Sequence, residues 1–81
     1  MSTALPYSML IAWSEEDQVY VVILPEWADI AYMPITHGRT YQAAAARGQQ
    51  ALESLIEHAL EDGKELPAPR VLTDSGVIPP A

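Results

Sequence analysis

The sequence predicts a small α+β domain, in which a small antiparallel sheet carries one long helix packed on one face. Three observations predict this fold class. Two β-prone apolar runs flank a short polar turn, one long segment repeats its apolar residues with helical period, and 81 residues leave room for a single core. A chain of this size buries only about 60% of its unfolded surface, so stabilisation by association is expected.

Two strands open the predicted sheet, at residues 6–13 and 18–24. Both runs are rich in aromatic and β-branched side chains, and the polar residues 14–17 between them suit a turn. Because so short a connection joins neighbouring strands, we expect an antiparallel hairpin. Pro25 ends the second strand.

The segment between the hairpin and the helix, residues 26–39, is compatible with a third strand but does not require one. Residues 30–33 and 35–36 carry strand-forming side chains, but Pro34 lies between them. Since proline has no N–H to donate, a strand in this segment is expected to be bent or to lie at the edge of the sheet.

A long helix is predicted from Tyr41 to about Asp62, with Thr40 as its N-cap. Apolar residues recur in this segment at the steps expected for one buried face: Tyr41, Ala44, Ala45, Gly48, Leu52, Leu55, Ile56 and Ala59. Gly63 supplies the stop, and the prolines that follow prevent continuation of the helix.

The residues after the helix predict a short last strand and an irregular tail. Residues 71–73 are β-prone, whereas residues 74–81 are expected to be extended or frayed. The whole chain, 1–81, is therefore interpreted as one domain with its core at about residues 5–73.

Charge narrows the range of partners. Eleven carboxylates face four Lys or Arg, for a formal net charge of −7. Nucleic-acid binding depends on basic side chains that neutralise phosphates, so direct DNA or RNA binding by this chain alone is not expected. A basic protein would be attracted, although an acidic surface also serves solubility alone. The sequence shows neither a signal peptide nor a membrane span, so a cytoplasmic protein is expected.

No arrangement of residues predicts catalysis, a metal site or a cofactor. The chain has no cysteine, and its two histidines, His37 and His58, have no metal-ligand spacing. No phosphate-binding glycine loop and no activated nucleophile occur either. His37 is interpreted as a turn residue and His58 as a solvated residue near the helix C-terminus. A small hydrolase that depends on His37 is the alternative, and no sequence feature favours it.

The hairpin predicts a binding partner because both of its faces are apolar, whereas a single helix covers only one. A homodimer or a hetero-complex is expected to bury the second face, the alternative being a tail that folds back over it. The leading hypothesis is a homodimer whose sheet and acidic edges bind the partner. Glu15, Glu16 and Asp17 are candidates for electrostatic steering of the partner, or else a solvated hairpin tip. Trp27 and Tyr32 are candidate anchors at an interface, or else ordinary closure of the core.

Three short motifs follow one another along the chain. They are Trp13-Ser14-Glu15-Glu16-Asp17 at the end of the first strand, Tyr20 with Pro25-Glu26 in and after the second, and Thr36-His37-Gly38-Arg39-Thr40 before the helix. Each motif is short, but their order and spacing cover about residues 5–70. Together they resemble the HicB-like antitoxins of the HicA–HicB toxin–antitoxin systems.

The resemblance implies a partial RNase-H-like fold, β-β-β-α-β, and a non-catalytic antitoxin that binds and blocks a small basic HicA-like mRNA-cleaving toxin. Residues 6–13 contain no carboxylate, which an RNase-H site needs in its first strand. Two features depart from the family: the longer segment that carries Pro34, and the lack of room for the DNA-binding extension of many members. Operator binding by this chain alone is therefore not expected. An orphan HicB-like scaffold or regulatory module with a different protein partner is the alternative.

Overall fold

The computed structural model describes residues 6–72 as a three-stranded antiparallel sheet with one long helix packed against it. The elements in chain order are β1 (Leu10–Ser14), β2 (Val19–Ile23), a 3-10 turn (Pro25–Trp27), β3 (Thr36–Gly38) and α1 (Tyr41–Glu61). The strands lie in the order β1-β2-β3, and both pairs are antiparallel. The α+β class with one helix on a small antiparallel sheet is confirmed.

β1 and β2 pair as the predicted hairpin, but the turn is displaced by one residue. It occupies residues 15–18 instead of 14–17, and Gln18 adopts a left-handed backbone with φ of 57°. The Gln18 N–H donates to the carbonyl oxygen of Ser14 at 2.7 Å, which closes the turn.

The first strand is shorter than predicted because the residues before it use their polar groups elsewhere. The Ser8 N–H donates to both carboxylate oxygens of Glu26, at 3.1 and 3.0 Å, instead of to a strand neighbour. The Tyr7 hydroxyl donates to the carbonyl oxygen of Pro67 at 2.8 Å. β1 therefore begins only at Leu10.

β3 lies at the edge of the sheet, the position that Pro34 predicts. It begins one residue later than the predicted strand at residues 35–36 and extends to Gly38. Residues 30–33 form a turn instead of a strand, because their first two N–H groups both donate to the carbonyl oxygen of Trp27, each at 3.0 Å.

α1 has the two ends that the sequence predicts. The Thr40 hydroxyl oxygen accepts a hydrogen bond from the Ala43 N–H at 3.0 Å and so acts as the N-cap. At the other end Gly63 has φ of +68°, and the Lys64 N–H donates to the carbonyl oxygen of Ala59 at 2.9 Å. Members of the predicted apolar stripe form its buried face: Ala44, Gly48, Leu52 and Ala59.

The core joins the inner face of the sheet to α1, and its largest fully buried side chains are Val22, Leu24 and Trp27. Two glycines allow the close approach of helix and sheet. A Cβ atom on Gly48 would lie 2.8 Å from Sδ of Met9, and one on Gly38 would overlap the backbone of Ala44. A side chain at position 38 would therefore force the helix away from the sheet, whereas one at position 48 would displace the flexible Met9 side chain.

No strand follows α1 within the described residues. Of the predicted strand at residues 71–73, the first two are irregular, and residue 73 and the predicted tail at 74–81 lie outside the described residues. Arg70, just before these residues, is held by a side chain and not by a strand neighbour. Its N–H donates to the Glu26 carboxylate at 2.9 Å. The order β-β-β-α is present, and α1 is not long and apolar enough to cross a membrane.

Candidate protein-binding face

The sheet face that points away from α1 is named the outer face. Because Val22 is buried against the helix, the residues on either side of it in β2 point the opposite way. Strand register then assembles the outer face from Leu10, Ala12, Ser14, Val19, Val21, Ile23 and His37. All but Ser14 and His37 are apolar, whereas an antiparallel sheet facing water normally alternates apolar and polar residues. Within residues 6–72 no helix or strand packs on this face.

A trough of about 450 Å³ runs along the β3 side of the outer face. Its lining consists of Asp17, Val19, Val21, Pro34, Ile35, Thr36 and His37. Its apolar residues come from β2 and from the segment before β3, and Asp17 belongs to the hairpin turn. A partner that inserts an apolar side chain with a Lys or Arg next to it would match this lining. The apolar side chain would contact the apolar residues, and the cation would face Asp17.

The acidic tip, defined as Glu15, Glu16 and Asp17, is exposed and ordered by hydrogen bonds. Glu15 accepts from the Trp13 indole N–H at 3.1 Å and from the Gln18 side-chain amide at 3.2 Å. The Ser14 hydroxyl donates to the Asp17 carboxylate at 3.4 Å. Two of the three predicted steering residues lie at different surfaces. Glu15 lies beside Trp13, whereas Asp17 lines the trough.

The structure separates the two predicted anchors. Tyr32 is 97% exposed, in the turn that follows the 3-10 segment, and is available to a partner. Trp27 is only 1% exposed and packs edge-on against Tyr7, with ring centroids 5.5 Å apart. Trp27 thus has the alternative role of core closure, since a ring buried in the core presents no surface to a partner. The prediction that Trp27 is an interface anchor is therefore wrong.

The two histidines lie apart, one on the sheet and one on the helix. His37 is on the outer face, and its carbonyl oxygen accepts from Nη1 of Arg47 at 3.4 Å. His58 is exposed near the end of α1, with Nδ1 4.0 Å from Oε1 of Glu61. In the described part of the chain no three His, Asp or Glu side chains converge as ligands of a metal ion would.

Glu26, which belongs to one of the three sequence motifs but is not among the predicted site residues, is a buried carboxylate. It is 8% exposed and accepts backbone hydrogen bonds from Ser8 and Arg70, at distances of 2.9 to 3.1 Å. The Ser8 hydroxyl also donates to the carbonyl oxygen of Arg70 at 3.3 Å. This Glu26 clasp ties the segment before β1 to the segment after α1.

The clasp shifts the titration of two groups. Burial by itself would raise the pKa of the Glu26 carboxyl, but hydrogen bonds from Arg70 and Ser8 outweigh it and lower the pKa below 4.5. Burial, followed by the negative charge of Glu26, raises the pKa of Tyr7 above 10.0. One sequence signal could have indicated the clasp, since Glu26 stands between Pro25 and Trp27 in an otherwise apolar stretch.

A second surface, the aromatic strip, lies on the helix side of the sheet next to the acidic tip. It consists of Trp13, Tyr20 and Tyr41. The rings of Trp13 and Tyr20 meet at 68° with centroids 5.1 Å apart, and those of Tyr20 and Tyr41 at 35° and 4.3 Å. Both ends of the strip are open to solvent, with Trp13 47% and Tyr41 62% exposed.

Comparisons of this chain with protein-family models, with curated proteins and with solved structures find no match. The fold class follows from the structure, whereas the resemblance to HicB-like antitoxins remains an expectation that depends on the motifs in the sequence.

Proposed function

We propose that this chain is a non-catalytic protein-binding module whose outer face and acidic tip bind a small basic protein. The observation that carries the proposal is the apolar outer face, which no helix or strand of residues 6–72 covers. Apolar surface left in water forgoes roughly 25 cal/mol per Å² of stabilisation, so a partner that covers this face is favoured.

The size of the outer face limits how a partner can bind. Two strands about 17 Å long and a third about 10 Å long, spaced about 4.8 Å apart, give roughly 210 Å² in projection. A stable interface takes about 800 Å² from each partner, so the contact has to extend beyond the sheet. The acidic tip at one end and the turn that carries Tyr32 at the other are the adjoining surfaces.

Charge favours a basic partner over a second copy of this chain. An interface that extends over Glu15, Glu16 and Asp17 gains from Lys or Arg on the other side. A second copy would bring its own acidic tip, or the turn with Asp29, against these carboxylates. Like charges in contact oppose association, especially for chains that each carry a formal net charge of −7.

The resemblance to HicB-like antitoxins supplies the class of the partner. A HicA-like toxin is a small basic mRNA-cleaving protein, which agrees with the charge of the acidic tip. The specific function proposed is therefore that of an antitoxin, which neutralises the toxin by covering its active site. The homodimer expected from the sequence would compete with the toxin for the outer face, and an orphan module would bind another protein there.

Co-expression with a HicA-like small basic protein tests the proposal by pull-down and by rescue of growth, and a short basic open reading frame next to the gene of this chain would be the first candidate. Val21→Lys places a charge in the centre of the outer face, and we expect it to abolish both the complex and the rescue. Gln49→Lys adds the same charge on the exposed side of α1 and is the matched control, expected to bind normally.

Two further measurements separate the alternatives. Asp17→Asn should slow association at low salt and have less effect at high salt, because screening removes long-range attraction. Sedimentation of the chain alone, with and without Val21→Lys, reports whether a second copy uses the outer face. If no short basic open reading frame lies beside the gene, or if the unaltered chain neither binds its product nor restores growth, the antitoxin function is wrong and the orphan module takes its place.

A further inference from the structure

We propose that the aromatic strip, together with the Glu15 carboxylate, is a second binding surface that receives an arginine side chain of a protein partner. The inference goes beyond the proposed function, because this surface lies on the helix side of the sheet and shares none of its rings with the outer face. Binding at the aromatic strip requires a basic segment of a protein, and that protein need not be a toxin.

The geometry of the strip suits a cation. A cation within about 6 Å of the face of Trp or Tyr is attracted by the ring quadrupole. Trp13, Tyr20 and Tyr41 form a continuous row of such rings, and the two outer rings are about half exposed or more. Trp13 and Tyr20 meet edge to face, with an angle of 68° between their ring planes, so the exposed part of the indole lies directly beside a second ring.

Glu15 fixes the Trp13 ring and supplies the negative charge. The Trp13 indole N–H donates to one carboxylate oxygen of Glu15, which restrains the indole ring. The Gln18 amide donates to the other oxygen and holds the carboxylate in turn. A carboxylate has about four acceptor positions, so two remain for a ligand. The site is therefore ordered before a partner arrives, which lowers the entropic cost of binding.

The chemistry selects arginine. Guanidinium is planar, stacks on aromatic faces and is less strongly hydrated than the ammonium of lysine, and it can donate to a carboxylate at the same time. Charge complementarity identifies the source as a basic protein, since a chain with a formal net charge of −7 repels the phosphates of nucleic acid and attracts basic segments.

Nuclear magnetic resonance of the unaltered chain tests the proposal with an oligoarginine peptide as the probe. The chain has two tryptophans, so Trp13 reports on the strip and the buried Trp27 is an internal reference. We expect the Trp13 indole N–H signal to shift on titration while that of Trp27 stays in place. A peptide with citrulline in place of arginine keeps the shape without the charge, and it should leave both signals unchanged.

Matched substitutions distinguish the strip from general attraction. Glu15→Gln and Glu53→Gln each remove one exposed carboxylate, the second from the solvent side of α1, and only Glu15→Gln should weaken peptide binding about three- to fivefold. Tyr41→Leu should weaken it by a similar factor, as expected for one exposed cation–π contact. Equal weakening by Glu15→Gln and Glu53→Gln, or an unmoved Trp13 signal, would overturn the proposal. Either result would leave the outer face untouched, since Val21→Lys tests that surface separately.

Discussion

The Glu26 clasp makes a quantitative prediction about stability. Glu26→Gln keeps the size of the side chain but leaves one carbonyl oxygen to accept from two N–H groups, those of Ser8 and Arg70. A hydrogen bond to a charged group contributes about 1.5–3 kcal/mol, and a buried N–H left without a partner costs about 1–3 kcal/mol. Part of this loss is offset because a neutral amide is cheaper to bury than a carboxylate.

The expected net loss is about 2 kcal/mol of the free energy of unfolding. In a domain of this size such a loss lowers Tm by about 10 °C. It also shifts the urea midpoint by about 2 M if m is near 1 kcal/mol per M. Urea unfolding followed by circular dichroism measures it, with Glu16→Gln as the control, because this exposed carboxylate should change stability by less than about 0.5 kcal/mol. Equal midpoints for the Glu26 variant and the unaltered chain would refute the clasp.

The pH dependence of the same variant checks the cause. Because hydrogen bonding lowers the pKa of Glu26 in the folded chain, its contribution is fully present above the ordinary value of 4.5 that applies to the unfolded chain. It is lost as the pH falls through the lower folded value. The unaltered chain should therefore lose stability more steeply than Glu26→Gln as the pH falls below 4.5. Parallel pH profiles of the two proteins would show that the carboxylate charge does not contribute.

Three further substitutions test the packing and the caps, each by urea unfolding. Gly38→Ala should cost about 1–3 kcal/mol, because the new methyl would overlap the backbone of Ala44; an unchanged midpoint would contradict the close approach of α1. Thr40→Ala removes the acceptor of the Ala43 N–H and should cost about 1 kcal/mol, with Thr40→Ser as the capping control. Gly63→Ala places a side chain at φ of +68° with open space around it, so a loss of about 1 kcal/mol would come from backbone strain alone and no loss would argue against that conformation.

Local patterns were sufficient for the regular elements. The stripe from Ala44 to Ala59 has helical period, Thr40 and Gly63 mark its ends, and the short polar turn requires an antiparallel hairpin. These signals operate between residues that are close in the chain, where backbone geometry alone fixes the outcome. Pro34 likewise predicts an edge strand because a missing N–H is a property of that one residue.

The features that the sequence did not predict depend on contacts between residues far apart in the chain. Glu26 forms its clasp with partners 18 and 44 positions away, and no pattern of spacing marks such a meeting. These contacts also shortened β1 and kept the Arg70 N–H from joining a strand ladder. The placement of Trp27 in the core belongs to the same class, because burial depends on what else packs there and not on the residue itself.

The sequence by itself determined the α+β class, the position of the helix and its caps, the hairpin and the acidic, apolar character that favours a protein partner. The tertiary structure alone decided which carboxylates face which surface, with Asp17 at the trough and Glu15 at the aromatic strip. It alone decided that Tyr32 is exposed while Trp27 is buried. The physical reason is that periodicity assigns a residue to a side of its own element, whereas exposure and ligand geometry depend on neighbours that the chain brings together only by folding.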